Sequence, residues 1–272
     1  MIKYVDVEAL NLRTQPVVDP ATKKTLLHLG QRLETVGDLP RDGWWQVRTT
    51  VDGVADEGFV KAILGASPST GFVERPSLRD AVSDRREALV AEAVKQWQRF
   101  DGGQGKEHHA PYSDFIAEMW QAIGQDLSGR DRDVPWSAAA ISFMVRQAGK
   151  RFEAYRQFRF APAHSRYIHD AIEQRRAANA AAPFWGFELH ERRPQVGDLV
   201  GRWRETPRDF ADAEASDSFK SHTDIVVSVG TDEVTAIGGN VSDSIGITTY
   251  RKLPSGFLSE DKGVFILMAN NG

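Results

Sequence analysis

Cysteine is absent from the 272 residues, which removes disulfide frameworks, thiolate metal sites and any cysteine nucleophile, and leaves the redox compartment undetermined. Long apolar runs are absent too. No stretch approaches the ~18 uninterrupted apolar residues of a membrane span, and the N-terminal run MIKYVDVEALNLR has no apolar core of a secretion signal. Excess positive charge is also missing: Lys plus Arg total 34 against 38 Asp plus Glu, net −4. With the negatives spread through both halves, neither nucleic acid nor an anionic membrane is expected as a partner. What is present is ordinary: 41% apolar and 26% charged residues belong to a chain that folds, and the length favours two domains or one large one.

Residues 1–64 alternate apolar and polar positions over short runs, such as Tyr4-Val5-Asp6-Val7, Arg32 to Val36 and Trp45-Gln46-Val47-Arg48, separated by turn clusters at Pro16 to Ala21, Asp38 to Gly43 and Asp52-Gly53. Period two at this spacing predicts a small all-β barrel. Residues 65–76, GASPSTGFVERP, concentrate Gly, Ser and Pro without a period and read as a linker. From Ser77, an expected N-cap, the period changes. Val82, Leu89, Ala93, Trp97 and Phe100 mark a long amphipathic helix. A second helix carries Phe115, Ile116, Met119, Trp120 and Ile123 with Gly124 at its C-terminal cap, and a third runs from Pro135 to about Ala148. A fourth is expected near His164. Strands follow at Asp198 to Trp203, His222 to Val229, Val234 to Gly238, Ile247 to Arg251 and Val264 to Met268. Helices first and strands afterwards give an α+β order for residues 77–272. Residues 205–221, ETPRDFADAEASDSFKS, read as a mobile polar insertion over one edge.

Two positions stand out chemically. Ser137, in Val134-Pro135-Trp136-Ser137-Ala138-Ala139-Ala140, falls in the first turn of the third helix, where unpaired N–H groups and the helix dipole favour developing negative charge. Spacing alone favours the plainer reading, a small polar residue tolerated at a helix start. His222 opens its strand, and the next strand ends at Asn240. If paired residue numbers sum to 462 or 464, His222 and Asn240 share a face within hydrogen-bonding reach; a sum of 463 separates them. Each also has a plainer reading: a strand-edge His, and an Asn in left-handed conformation after Gly238-Gly239. Asp101 to Lys106, DGGQGK, lacks the spacing of a phosphate loop and has Glu107 where Ser or Thr should follow. The remaining histidines do not make a metal site: His164 and His169 do not share a helix face, and His108-His109 lack an acidic partner at ligand spacing. His164 can still reach a cleft from its helix start, and Trp136 reads as core more readily than as substrate platform.

Residues 8–64 resemble the bacterial Src-homology-three (SH-three) barrel that serves as a cell-wall targeting module. The carriers are Leu10-Asn11-Leu12-Arg13, Leu29-Gly30, Gly43-Trp44-Trp45-Gln46-Val47 and Gly58-Phe59-Val60, with Gln15 where Gly is usual and a stretched Gly53-to-Gly58 segment. Residues 77–272 resemble the papain-like cell-wall hydrolases of the NlpC type and the cysteine, histidine-dependent amidohydrolase/peptidases (CHAP), most closely a bacterial branch of unassigned function. The carriers occur in the family's order: Pro135-Trp136-Ser137-Ala138-Ala139-Ala140-Ile141-Ser142, Pro194-Gln195-Val196-Gly197-Asp198-Leu199-Val200, His222 and Gly239-Asn240. Ser137 stands where that family has its nucleophilic cysteine.

The resemblance implies a targeting barrel (1–64), a linker (65–76) and a papain-like domain (77–272) that acts on peptidoglycan or its stem peptides. Ser137 would be the nucleophile, His222 the base and Asn240 the residue orienting the imidazole, with Trp136, His164 and Asp224 binding substrate. A serine has no appreciable anion near neutral pH, so its proton must leave to a base during attack. No metal or organic cofactor is implied. The alternatives are an inactive peptidoglycan-binding protein on the same frame and an intracellular peptidase or amidase. With no signal peptide in the sequence, action on the wall would require another release route or a trimmed N-terminus. Oligomeric state and scissile bond stay open.

Overall fold

The structure, a computed structural model, describes residues 1–65 and 74–272. Most of the expected linker, residues 66–73, lies outside the described residues. The chain divides into two units, Met1–Val82 and Ser83–Gly272.

The first unit is all β. Its strands are β1 (Ile2–Val5), β2 (Ala9–Arg13), β3 (Lys23–His28), β4 (Arg32–Thr35), β5 (Trp44–Val51), β6 (Val54–Lys61), β7 (Ile63–Leu64), β8 (Arg75–Pro76) and β9 (Leu78–Asp80). Seven form one antiparallel sheet in the order β3-β2-β6-β5-β4-β1-β9, and β7 pairs with β8. Alternation fixes which side is buried: Leu10 and Leu12 of β2 and Trp45 and Val47 of β5 enter a core with Val5, Leu33 and Val60. β5 and β6 turn through Asp52-Gly53, both at positive φ (50° and 80°), the backbone that a two-residue hairpin requires.

Ser77 does not cap a helix. Its N–H donates to Ala62 O at 2.9 Å, its hydroxyl bonds Lys61 O, and β9 immediately after it pairs with β1. Residues 77–82 thus complete the first unit. The helix begins six residues later, at the true cap Ser83, whose side chain accepts from Arg86 N. Ser77 and Ser83 present the same local cap signal, and strand pairing decides between them.

The second unit contains α1 (Asp84–Arg99), α2 (Tyr112–Gln121), α3 (Ser137–Ala148), α4 (His164–Arg176), β10 (Phe184–Phe187), β11 (Leu199–Trp203), α5 (Phe210–Ala215), β12 (Ser221–Val229), β13 (Glu233–Val241), β14 (Ser244–Arg251) and β15 (Val264–Asn270). Six strands form an antiparallel sheet, order β10-β15-β11-β12-β13-β14, in keeping with the expected mix of helices and antiparallel strands. β10 is an addition to the strands read from the sequence. α5 is another, set in the insertion read as mobile: Asp209 and Asp212 cap it reciprocally.

α3 is the central helix. Ala138, Ala139, Ala140, Ile141, Met144 and Val145 are all at most 1% exposed, as expected for a helix apolar on every side. It packs on β12 and β13, and the approach is close. A Cβ on Gly239 would lie 2.4 Å from Ala140 Cβ and 3.3 Å from Ser137 Cα, so β13 can pass the start of α3 only without a side chain there. On the sheet's other side, Val200, Val226, Val234, Ala236, Tyr250 and Leu267 form a second apolar layer.

Candidate active site

Ser137 is the first residue of α3. Trp136, at the N-cap, supplies no side-chain hydrogen bond to the first turn, so the backbone N–H groups there have no side-chain cap to satisfy them. Trp136 itself is 1% exposed. Its indole N–H donates to Glu107 Oε2 at 2.6 Å and its ring stacks on Phe100 at 5.7 Å. It therefore offers no open platform, and instead fixes the residue before Ser137.

Ser137 Oγ lies 2.6 Å from His164 Nε2. His164 opens α4, and its other nitrogen, Nδ1, meets Thr223 Oγ1 at 2.9 Å and the Tyr167 hydroxyl. Tyr167 reaches Thr223 Oγ1 at 3.0 Å. The spacing on α4 explains part of this: Tyr167 sits three residues after His164, on the same helix face. An Nδ1–H tautomer, donating to these hydroxyls, leaves Nε2 to accept from Ser137. Burial, followed by the charges of His222, Arg204 and Arg202, holds the His164 pKa well below its usual 6.5, which keeps the ring neutral near pH 7. Burial also raises Tyr167 well above 10, so it remains a phenol.

His222, Thr223 and Asp224 are each 0% exposed. Thr223 lies opposite Gly201 and His222 opposite Arg202 in the β11–β12 register, so their side chains leave the strand on alternate faces. Thr223 meets α4, whereas His222 shares a face with Asp224. Even so, at the start of β12 the two imidazoles lie 5.1 Å apart between centroids. His222 Nε2 bonds Asp224 Oδ1 at 2.8 Å, and Asp224 Oδ2 accepts from Tyr250 OH. His222 Nδ1 is buried without a hydrogen-bond partner. Burial alone would raise the Asp224 pKa, but His222, then its hydrogen bonds from His222 and Tyr250, and Arg202 hold it below 3.8.

These contacts pair the residues differently from the expectation. The hydrogen bond of Ser137 goes to His164 rather than His222, because α4 brings its first residue against the first turn of α3. Asp224, rather than Asn240, takes the His222 Nε2. The β12–β13 register has Ile225 opposite Ile237 and Val226 opposite Ala236, the sum of 462 that faces His222 toward Asn240. However, β13 is irregular against β14 between Gly238 and Val241, and Asn240 adopts φ 55°. Among the described residues, Asn240 makes no side-chain hydrogen bond to His222. Asp224 fills the space instead: its Oδ1 lies 1.6 Å from where a Gly238 Cβ would stand. Tyr167, Thr223 and Tyr250 were not singled out by sequence; only the alternation of His222 with Asp224 was readable as a pair on one strand face.

Among the described residues, no group of three or more His, Cys, Asp or Glu is arranged to hold a metal ion, and no helix is long and apolar enough to cross a membrane.

No curated protein matches the sequence. A solved structure titled "Structure of NlpC2 from Trichomonas vaginalis" is similar over 99% of this chain and 74% of that one, at 10% identity and a TM-score of 0.28, too low to carry an argument. The family described as "Uncharacterized protein conserved in bacteria (DUF2272)" matches residues 94–268, which is more than half of the sequence and most of the second unit. The chain belongs to that family.

Proposed function

We propose that the second unit is a serine-dependent hydrolase of amide bonds in cell-wall peptide, with Ser137 as nucleophile and His164 as the group that takes its proton. The observation that carries the reading is the 2.6 Å Ser137–His164 hydrogen bond at the start of a buried helix. Ser137 Oγ attacks the carbonyl carbon as its proton passes to His164 Nε2, and first-turn N–H groups of α3 receive the oxyanion. The proton then moves to the leaving amine as the C–N bond breaks, and water releases the acyl group from Oγ by the same exchange. Thr223 and Tyr167 hold the His164 ring through Nδ1. His222, with Asp224 and Tyr250, stands behind it, 5.1 Å from the His164 ring. The cell-wall substrate rests on the motif resemblance around Ser137, Asp198 and His222, and wall targeting by the first unit rests on its own resemblance at Leu10 to Arg13, Gly43 to Val47 and Gly58 to Val60. Asn240 has no chemical step in this scheme.

A second reading, a binding protein that does not cut, is favoured by burial: Ser137 is 2% and His164 5% exposed, so a substrate reaches Oγ only if the cover over them opens. Digestion of purified peptidoglycan with mass-spectrometric product analysis separates the two. New amine and carboxylate ends from wild type, lost at least ~100-fold in Ser137→Ala, support hydrolysis. An intact sacculus, together with no labelling of Ser137 by a fluorophosphonate, leaves only binding.

A further inference from the structure

The end of β11, beside the start of β12, gathers two guanidiniums around one buried carboxylate, that of Asp224. Arg202 lies opposite His222, and the Arg204 N–H to Lys220 O bond of 3.1 Å continues the same register one step beyond β11. By strand alternation Arg202, Arg204 and His222 therefore leave the sheet on one face. Both arginines are half-buried, and among the described residues neither forms an ion pair. Arg202 Nε is buried without a hydrogen-bond partner, while the rest of its guanidinium hydrogen-bonds Tyr250 and acts on Asp224. Two carboxylates are near enough to act on Arg204, those of Asp224 and Glu205, but both are engaged elsewhere. Asp224 is bonded by His222 and Tyr250, and Glu205 is paired with Lys220 at 2.6 Å. Each guanidinium acts on the other, and both act on His164. Two half-buried like charges that share the buried Asp224 carboxylate, itself already bonded by His222 and Tyr250, are costly unless a ligand supplies more of the opposite sign.

We infer that Arg202 and Arg204 form a carboxylate-binding site flanking the His164–His222 pair, so that the preferred substrate carries a free carboxylate beside its scissile amide. A guanidinium fork matches a planar carboxylate in bidentate fashion, and both guanidiniums leave the sheet on the face of His222, whose ring lies 5.1 Å from that of His164. The assignment deepens the hydrolase reading and rests on it for the word substrate, but the binding itself can be measured without turnover.

The full chain carrying Ser137→Ala is titrated by calorimetry and NMR with three peptides: N-acetyl-Ala-Ala with a free C-terminal carboxylate, its C-terminal carboxamide twin, and N-acetyl-Ala-Glu carboxamide. At low ionic strength at least one carboxylate peptide binds ~10-fold or more tighter than the uncharged twin. Which one does so distinguishes a terminal from a side-chain carboxylate. The preference disappears in Arg202→Gln and in Arg204→Gln, each checked for unchanged thermal unfolding, and Arg204→Lys retains part of it. Equal binding of all three, binding of none, or a preference that survives both Gln variants overturns the site. Carboxylate-selective binding by a chain that never cuts peptidoglycan would leave this site standing and remove only the hydrolase.

Discussion

Ser137 and His164 are the first residues of two different helices, and a 2.6 Å hydrogen bond joins their side chains. Each helix start contributes what the other lacks: α3 offers uncapped N–H groups around a hydroxyl, and α4 offers a neutral imidazole. A site made this way depends on how α3 and α4 are held relative to β12, so its integrity is a property of packing before it is one of chemistry.

The Thr223 and Tyr167 hydroxyls should matter through His164 alone. Tyr167→Phe and Thr223→Val remove partners of Nδ1 while keeping shape, and each is expected to lower kcat about 10- to 100-fold with little change in KM. Nitrogen chemical shifts of the His164 ring should change in both variants. Unaltered shifts would mean that the hydroxyls do not fix its tautomer.

Acid should destabilise the second unit earlier than its carboxylates alone would allow. The folded pKa of His164 is depressed below 6.5 by burial and by the neighbouring His222, Arg204 and Arg202, so below about pH 6.5 the unfolded chain binds a proton that the folded chain refuses. Stability is full above that value and falls as pH drops, by up to ~1.4 kcal/mol per pH unit for one site. Asp224, also depressed, adds a loss only below about 3.8. Denaturant midpoints from pH 7 to 5 test this, and His164→Gln should flatten the slope.

The Arg86–Asp198 pair anchors α1 to the loop before β11. Arg86 Nη1 contacts Asp198 Oδ1 at 2.8 Å and Val196 O at 2.8 Å, while Asn270 N–H donates to the same Asp198 oxygen at 2.9 Å. Arg86→Ala strands a carboxylate that is 0% exposed and should cost roughly 3–5 kcal/mol. A loss below 1 kcal/mol in urea titration would show that water or a shifted proton compensates.

Ser137→Cys gives the chain a single thiol, since no natural cysteine competes. The helix start favours its thiolate and burial opposes it, so its reactivity reports how far the site opens. Slow iodoacetamide reaction that accelerates under mild urea, before global unfolding, would identify an opening of the cover over Ser137. Reaction no faster than unfolding itself would mean that the site does not open on its own.

Local patterns carried the element order and one half of the site. Ala-rich residues after Trp136 specify α3, and His222 heads an apolar β12, so both positions are readable from periodicity. His164 was readable only as a helix start. Its bond to Ser137 crosses 27 residues and arises from how α4 lies on β12, which no window of sequence contains. The expected Asn240–His222 contact is absent for a related reason: the register that would aim it at His222 is present at Ile225 and Val226, but the backbone leaves regular geometry at Asn240 itself. β10 is not legible in the sequence because Phe184-Trp185-Gly186-Phe187 is too short to show a period, and its pairing with β15 supplies the strand.

Gly238 and Gly239 face opposite sides of β13, one toward Asp224 and His222, the other toward Ser137. In a saturation mutational scan, a strand buried on one side would show intolerance at every second codon. Here two adjacent codons should both reject replacement, breaking that alternation at one place. The chain's tolerance profile along β13 would thus mark where the two halves of the site are separated by a single thickness of backbone.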